Sequence, residues 1–278
     1  MTPGAKPPPT PGHAPLREAV AAPRMKAAYT RWVFATIADR YDVVNVLLSF
    51  NRDRAWKRRM VERVGVKAGE RALDLACGTG DIAFRLGAAG ARVTGLDITP
   101  RMIELALQKI PSPGSPTREP TSKSGAPDVP RFLVGDMMAL PFSDDSFDIV
   151  TTGYGLRNVP DMRGALLEIR RVLKPAGRLF SLDFNRPSNW LVRSAYLAYL
   201  GVVGSAFGWA LHGKPTTYRY IPETIRLHPG GTALARLIAS TGFEQVIYRP
   251  VFGGFMALHA ASKPGAATSR QLTAEGGR

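Results

Sequence analysis

Residues 71–97 read RALDLACGTGDIAFRLGAAGARVTGLD, and this stretch decides the fold. An apolar run carries Asp74 and passes into a loop of small residues, Ala76, Cys77, Gly78, Thr79 and Gly80. A helix-like run follows, then a second apolar run, Val93 to Leu96, ending in Asp97. Strand, glycine loop, helix, strand, acid is the opening unit of an α/β sheet that holds a ligand at its strand ends. Glycines let backbone approach a ligand and take φ values that a side chain forbids. The helix N-terminus behind the loop offers free N–H groups. An acid at the end of the second strand can accept hydrogen bonds from a ribose diol.

Two ligands suit the loop. A dinucleotide would rest its pyrophosphate on the helix N-terminus, and Gly78-x-Gly80-x-x-Ala83 fits that spacing. S-adenosylmethionine has no phosphate and carries an ammonium group. A carboxylate at Asp74 would repel the first and attract the second. Asp74-x-Ala76-x-Gly78-x-Gly80 resembles motif I of class I methyltransferases.

The chain of 278 residues has 45% hydrophobic residues, enough for one large core with loose ends. Its net charge of +15 favours anionic surfaces, lipid or nucleic acid, without a pattern that marks a specific nucleic-acid module. Cys77 is the single cysteine, so no disulfide forms within the chain and a reducing cytoplasm is expected. Residues 1–27 and 264–278 read as disordered tails around a domain spanning 28–263. Trp32 to Val64 reads as helix, with Arg52, Arg54, Lys57, Arg58 and Arg59 forming a basic face around Trp56. That face is solvated, or it meets anionic lipid at the inner side of a membrane.

Further strands are expected at 131–134, 147–152 and 178–183, with helices near 80–89, 100–109 and 161–173. Residues 111–130 hold six prolines and no aromatic residue, and read as a flexible surface insertion. The apolar segment 190–212 has about 17 uncharged residues from Ala195 to Leu211, short of a bilayer span, and reads as a helical cap over an apolar pocket. A helix at 230–241 and two closing strands, 243–248 and 254–261, complete the chain. The expected fold is α/β: a Rossmann-like, seven-stranded, mostly parallel sheet with an added helical cap.

FATIADRYDVVNVLLSFNRDRAWKRR (Phe34 to Arg59) and GYGLRNVPDMRGALLEIRRVLKPAGRLFSLDFNRPSN (Gly153 to Asn189) resemble the menaquinone and ubiquinone biosynthesis C-methyltransferases. YRYIPETIRLHPGGTALARLIASTGF (Tyr218 to Phe243) and the end around His259 do so too. The chain departs from that family's pattern at His228-Pro229 and at Pro175-Ala176-Gly177. The resemblance implies transfer of a methyl group from S-adenosylmethionine to a ring carbon of a prenylated quinol. It leans toward a demethylmenaquinol, with a ubiquinone precursor or another small aromatic as alternatives. It implies no specific nucleic acid partner and leaves the oligomeric state open.

On that basis Arg157 is the candidate cation beside the ring oxygen, Asn158 its neighbour on that oxygen or a bridging water, and Tyr41 a pocket wall or proton relay. Asp74 is expected near the methionine amine, Gly78, Thr79 and Gly80 along the cofactor, and Asp97 on the ribose. Asp136 and Met137 should flank the adenine, and Gly153 contribute backbone. No metal cluster and no Ser-His-acid set is visible, and the four histidines are scattered. The competing classes are a nicotinamide oxidoreductase and a non-catalytic lipid- or nucleic-acid-binding protein. Asp74 and the closing strand pair argue against the first, and the intact cofactor positions against the second.

Overall fold

A computed structural model describes residues 16, 22–49, 51–110, 129–212 and 219–265. Both tails lie largely outside those residues, and so does most of the 111–130 segment. Among the described residues three helices precede the first strand from residue 22 on: α1 (Pro23–Ile37), α2 (Tyr41–Leu48) and α3 (Asp53–Val64). The single helix expected from Trp32 to Val64 is therefore broken twice. A 3-10 turn at Ala38–Arg40 separates α1 from α2, and Asn51 at φ 60° turns the chain into α3. Helix α1 also starts within the segment read as a tail, with Pro23 at its first turn, where a missing N–H costs nothing.

The core alternates strand and helix: β1 (Arg71–Leu75), α4 (Asp81–Ala88), β2 (Arg92–Asp97), α5 (Pro100–Gln108), β3 (Arg131–Val134), β4 (Phe147–Gly153), α6 (Met162–Val172) and β5 (Leu173–Phe184). Then come α7 (Trp190–His212), α8 (Tyr220–Leu227), α9 (Gly231–Ser240), β6 (Glu244–Val251) and β7 (Met256–Ser262). Helix α8 is an element that the sequence reading did not foresee. The seven strands form one sheet in the order β3-β2-β1-β4-β5-β7-β6. The first five run parallel, while β7 is antiparallel to β5 and β6 to β7. Strand β1 is buried from Ala72 to Leu75, as a strand covered on both faces must be. Trp56, Met60, Ile82 and Leu86 from α3 and α4 cover one face. Leu166, Ile169, Leu234 and Ile238 from α6 and α9 cover the other.

Strand β1 sits between β2 and β4, so the chain leaves it in opposite directions on its two sides. That reversal opens a crevice at the carboxyl ends of β1 and β4, where α/β sheets bind ligands. The helices α1, α2 and α8 border it, and α7 packs on α1 and α8 from outside. Helix α7 packs by Leu197 and Leu200 against Ile225 of α8, and by Val203 and Phe207 against the α1 cluster. It is one continuous helix through Arg193, and from Trp190 to Ala210 it is long and apolar enough to cross a membrane by length and composition. The count of uncharged residues from Ala195 had placed it short of that length.

Candidate functional site

The loop after β1 is held open by backbone. Ala76, Gly78 and Gly80 all have positive φ, at 50°, 54° and 87°. A Cβ on Gly80 would come within 2.7 Å of the Phe84 ring and 2.9 Å of the Phe132 ring, so that site must be glycine. Asp97 clamps the loop. Its Oδ2 accepts the Gly78 N–H at 2.9 Å and its Oδ1 accepts the Thr99 N–H at 2.8 Å. Burial pushes the Asp97 carboxyl above its usual range, against the pull of those N–H groups.

A cavity with about 690 Å³ of unfilled space, part of it open to solvent, lies over this loop. Its wall brings together seven of the residues named from sequence: Tyr41, Gly78, Asp97, Asp136, Met137, Gly153 and Asn158. Asp136 Oδ1 accepts the Met138 N–H at 2.9 Å, and its other oxygen has no partner among the described residues. The wall thus carries two carboxylates, and among the described residues no lysine, arginine or histidine. Such a wall repels a pyrophosphate and suits a ligand that has hydroxyl and amine donors and a positive charge.

Four of the named residues do not reach this wall. Asp74 is fully buried beneath it, where its Oδ1 accepts the Thr151 hydroxyl at 2.7 Å and its Oδ2 has no partner. Burial raises its pKa to about 7, against the opposing pull of Thr151 and Lys57. Gly80 caps α4 from behind the loop. The Thr79 hydroxyl donates to Asp42 at 2.7 Å and accepts from Lys109 Nζ at 2.8 Å, facing away from the main cavity.

Arg157 lines a second, smaller cavity under α1, α2 and α8, with about 440 Å³ of unfilled space including open solvent. Phe34, Tyr41 and Tyr154 stand in the walls of both cavities and form the partition between them. Arg157 is buried and ion-paired with Asp183, and its Nη1 also donates to the Tyr154 carbonyl at 3.2 Å. Its guanidinium lies 4.8 Å from the Phe184 ring centre. Its Nε is buried with no partner, an orphaned donor beside an aromatic cavity. Asn158 is a bracket: its Nδ2 donates to the Tyr154 carbonyl at 2.7 Å and its Oδ1 accepts the Tyr220 hydroxyl at 3.1 Å. Burial pushes the Tyr220 phenol up to about 12 and also raises Tyr41.

Sequence reasoning missed the polar chain behind the partition. The Tyr154 hydroxyl donates to Asp53 at 2.6 Å, and Lys57 bridges Asp53 at 2.8 Å and Asp81 at 3.0 Å. Lys57 is 5% exposed and therefore does not belong to the solvated basic face, which retains Arg52, Arg54, Arg58 and Arg59. Burial alone would lower the Lys57 pKa, but Asp53 and Asp81 raise it, so it stays charged. The Asp53–Lys57 spacing of four on one helix was the available signal. Tyr154 gave none, because its φ of 61° is rare for a tyrosine. Thr30, Tyr220 and Asn158 meet through a 2.6 Å Thr30–Tyr220 hydroxyl contact that joins residues far apart in sequence.

A family model described as the ubiE/COQ5 methyltransferase family matches residues 23–263. The chain is 38% identical over 242 residues to the ubiquinone/menaquinone biosynthesis C-methyltransferase of Azotobacter vinelandii, covering 86% of this chain and 91% of that protein. It is 39% identical over 234 residues to the demethylmenaquinone methyltransferase of Thermus thermophilus, covering 84% and 100%. Among solved structures, an S-adenosylmethionine-dependent methyltransferase of Thermotoga maritima superposes with a TM-score of 0.57 at 17% identity, over 84% of this chain and 99% of the other. Phosphoethanolamine N-methyltransferase 2 of Haemonchus contortus, solved with S-adenosyl-L-methionine, superposes at 0.57 and 15% identity, over 91% and 61%. These two likenesses speak for the fold.

Proposed function

The chain belongs to the ubiE/COQ5 methyltransferase family, and on that premise we propose that it methylates a ring carbon of a prenylated quinol, a demethylmenaquinol in the first instance, with S-adenosylmethionine as donor. One observation carries the reading. A cavity that carries two carboxylates and, among the described residues, no cationic side chain meets, across an aromatic partition, an apolar cavity that holds a buried arginine. The first suits a phosphate-free cationic cofactor and the second a flat, oxygen-bearing ring. A nicotinamide dinucleotide, the competing ligand, would set its pyrophosphate among carboxylates.

When bound, the cofactor supplies an electrophilic methyl group on a sulfonium sulfur. The chain's own residues do the rest by position. Asp97 takes the ribose hydroxyls, its lone pairs directed by the Gly78 and Thr99 N–H groups. Asp136 accepts the adenine amine beside the Met137 thioether, and Gly78 and Gly153 let backbone pass close. Arg157 donates from Nε to a ring oxygen and favours its anionic form, the hydroxyl proton passing to solvent, so that the adjacent carbon attacks the methyl group and then loses its own proton as the ring regains aromaticity and the oxygen is reprotonated. The Asp183 carboxylate beside it keeps the pair neutral overall, so the effect is directional and local. Asn158 fixes the Tyr154 carbonyl and Tyr220, and Tyr41 holds the ring against the partition.

The quinol's isoprenoid tail needs a lipid phase, and the cap suits one. Helix α7 roofs the second cavity through α8 while exposing Trp190, Leu191, Val202 and Trp209. That side lies on the membrane as a peripheral contact. The assay is direct: purified protein, S-adenosylmethionine and a short-chain demethylmenaquinol kept reduced, followed by mass spectrometry. Gain of one methyl on the ring is expected. No product from the naphthoquinol, with turnover of the benzoquinol precursor, would move the acceptor to the ubiquinone pathway, which the name of the Azotobacter relative also covers.

A further inference from the structure

A larger cleft opens beyond the carboxyl end of β5, lined by none of the residues that line the two cavities. It lies between the β5–α7 connection, the first turns of α7, the start of α9 and the Gly253–Gly254 turn, with about 1180 Å³ of unfilled space including open solvent. Its charged lining is Arg186, Arg193 and Arg236, with no aspartate or glutamate among the described residues that line it. Arg193 Nη1 donates to the Pro187 carbonyl at 3.3 Å. The side chains of Arg186 and Arg236 have no partner among the described residues. The floor is already satisfied: Asn185 gives Nδ2 to the Gly254 carbonyl at 2.8 Å and to Tyr248 at 3.2 Å, and accepts the Gly231 N–H at 2.7 Å. A rigid, neutral floor under three cations with no carboxylate leaves positive potential to be met from outside. The start of α9 adds to it with its dipole.

The rim says what meets it. Trp190, Leu191 and Val192, at the start of α7, are 64%, 59% and 39% exposed, and Val192 lines the cleft itself. A cationic cleft edged by tryptophan and aliphatic side chains, continuous with the apolar side of α7, complements an anionic head group above acyl chains. We propose that this cleft binds the phosphate of an anionic phospholipid, Arg186 and Arg236 supplying the charge-assisted hydrogen bonds, and so fixes α7 on the membrane. The proposal rests on the reading of a membrane-borne acceptor, and goes beyond it by naming the lipid class and the residues.

Flotation with vesicles of pure phosphatidylcholine, or of phosphatidylcholine with phosphatidylglycerol, tests it. The full chain should partition onto the anionic vesicles, and R186E/R236E should weaken that partition by on the order of 20-fold. R186Q/R236Q should weaken it less, which separates lost contact from added repulsion. Turnover of a short-chain, water-dispersed quinol should be unchanged in both variants, and unchanged melting curves show that they fold. Wild-type partition retained by R186E/R236E overturns the proposal. So does protection of the melting temperature by inorganic phosphate, dependent on the two arginines, without vesicle binding, because the site then takes a soluble anion. Absence of quinol turnover in wild type, with lipid binding intact, sinks the acceptor reading and leaves the cleft standing.

Discussion

The two cavities are built by opposite means. The floor of the carboxylate-walled one is made by backbone within a short span: positive-φ residues 76, 78 and 80 and the Asp97 clamp all lie between β1 and α5. The aromatic one is made by side chains that the sequence scatters. Phe34, Tyr154 and Tyr220 come to it from three separate segments, Asp53 reaches Tyr154 across 101 positions, and Arg157 depends on Asp183. The second is sensitive to the loss of a partner, because Arg157 is buried against Asp183 and the Tyr154 hydroxyl against Asp53.

The largest expected effect is therefore on the scattered side. Arg157→Ala strands Asp183, a carboxylate that is 1% exposed, and should cost about 3–5 kcal/mol of stability in denaturant unfolding. The double variant Arg157→Met with Asp183→Leu removes both charges and should recover most of that loss. Turnover should be lost in both variants, while S-adenosylmethionine affinity, measured by calorimetry, stays within a fewfold. Normal turnover in the double variant would reduce Arg157 to a structural ion pair and break the contrast between the halves.

Next is pH. Asp74 is buried with its pKa raised to about 7, so between roughly pH 4 and 7 the folded chain holds a proton that the unfolded chain has released. Its contribution favours the fold below pH 4 and falls as pH rises to 7, by up to about 4 kcal/mol. Asp74→Asn keeps the neutral form at every pH. Its melting temperature should exceed wild type at pH 8 and converge with it near pH 4. Parallel curves would mean that Asp74 is ionised in the fold. This residue lies on the well-read side of the molecule, and yet the sequence could not say that it sits under the loop instead of on the cavity wall.

Legibility follows the same division. Strand β3 matches its expected bounds and β1, β2 and β4 lie within a residue of theirs, because short apolar runs bounded by glycine and acid are local signals, whereas β5 begins at Leu173, five residues before its expected start. The breaks at Ala38 and Asn51 and the whole of α8 escaped; Tyr220 of α8 packs in one cluster with Tyr29, Val33 and Ile37 of α1, a contact between residues far apart in sequence. Gly78, Asp97, Asp136 and Met137 were readable as strand-end positions, and they share one wall. Asp53, Lys57 and Tyr154 were not, because a basic run reads as solvated until a structure shows one member turned inward.

Asp97→Ala tests the backbone-built half more gently. It removes a clamp and a ribose acceptor together, and affinity for S-adenosylmethionine should fall about 100-fold, near 3 kcal/mol. Stability should fall less than for Arg157→Ala, because the Gly78 and Thr99 N–H groups can turn to water in the open cavity. A variant that binds as wild type would remove Asp97 from the site.

The smallest expected effect falls on the partition. Tyr154→Phe keeps the ring in both walls and deletes only the hydroxyl that donates to Asp53 at 2.6 Å. Asp53 retains Lys57, so no charge is stranded, and the stability cost should be about 1 kcal/mol. Cofactor affinity should not move, because nothing on the carboxylate wall depends on that hydroxyl. If the Tyr154–Asp53–Lys57 chain serves the acceptor, kcat should fall and the alkaline limb of its pH profile should shift. An unchanged kcat and profile would make Tyr154 a divider only, held at φ 61° by the pairing of its hydroxyl. A drop in cofactor affinity would be the more disruptive result, since it would mean that the two cavities are one electrostatic unit and not two halves joined at an aromatic wall.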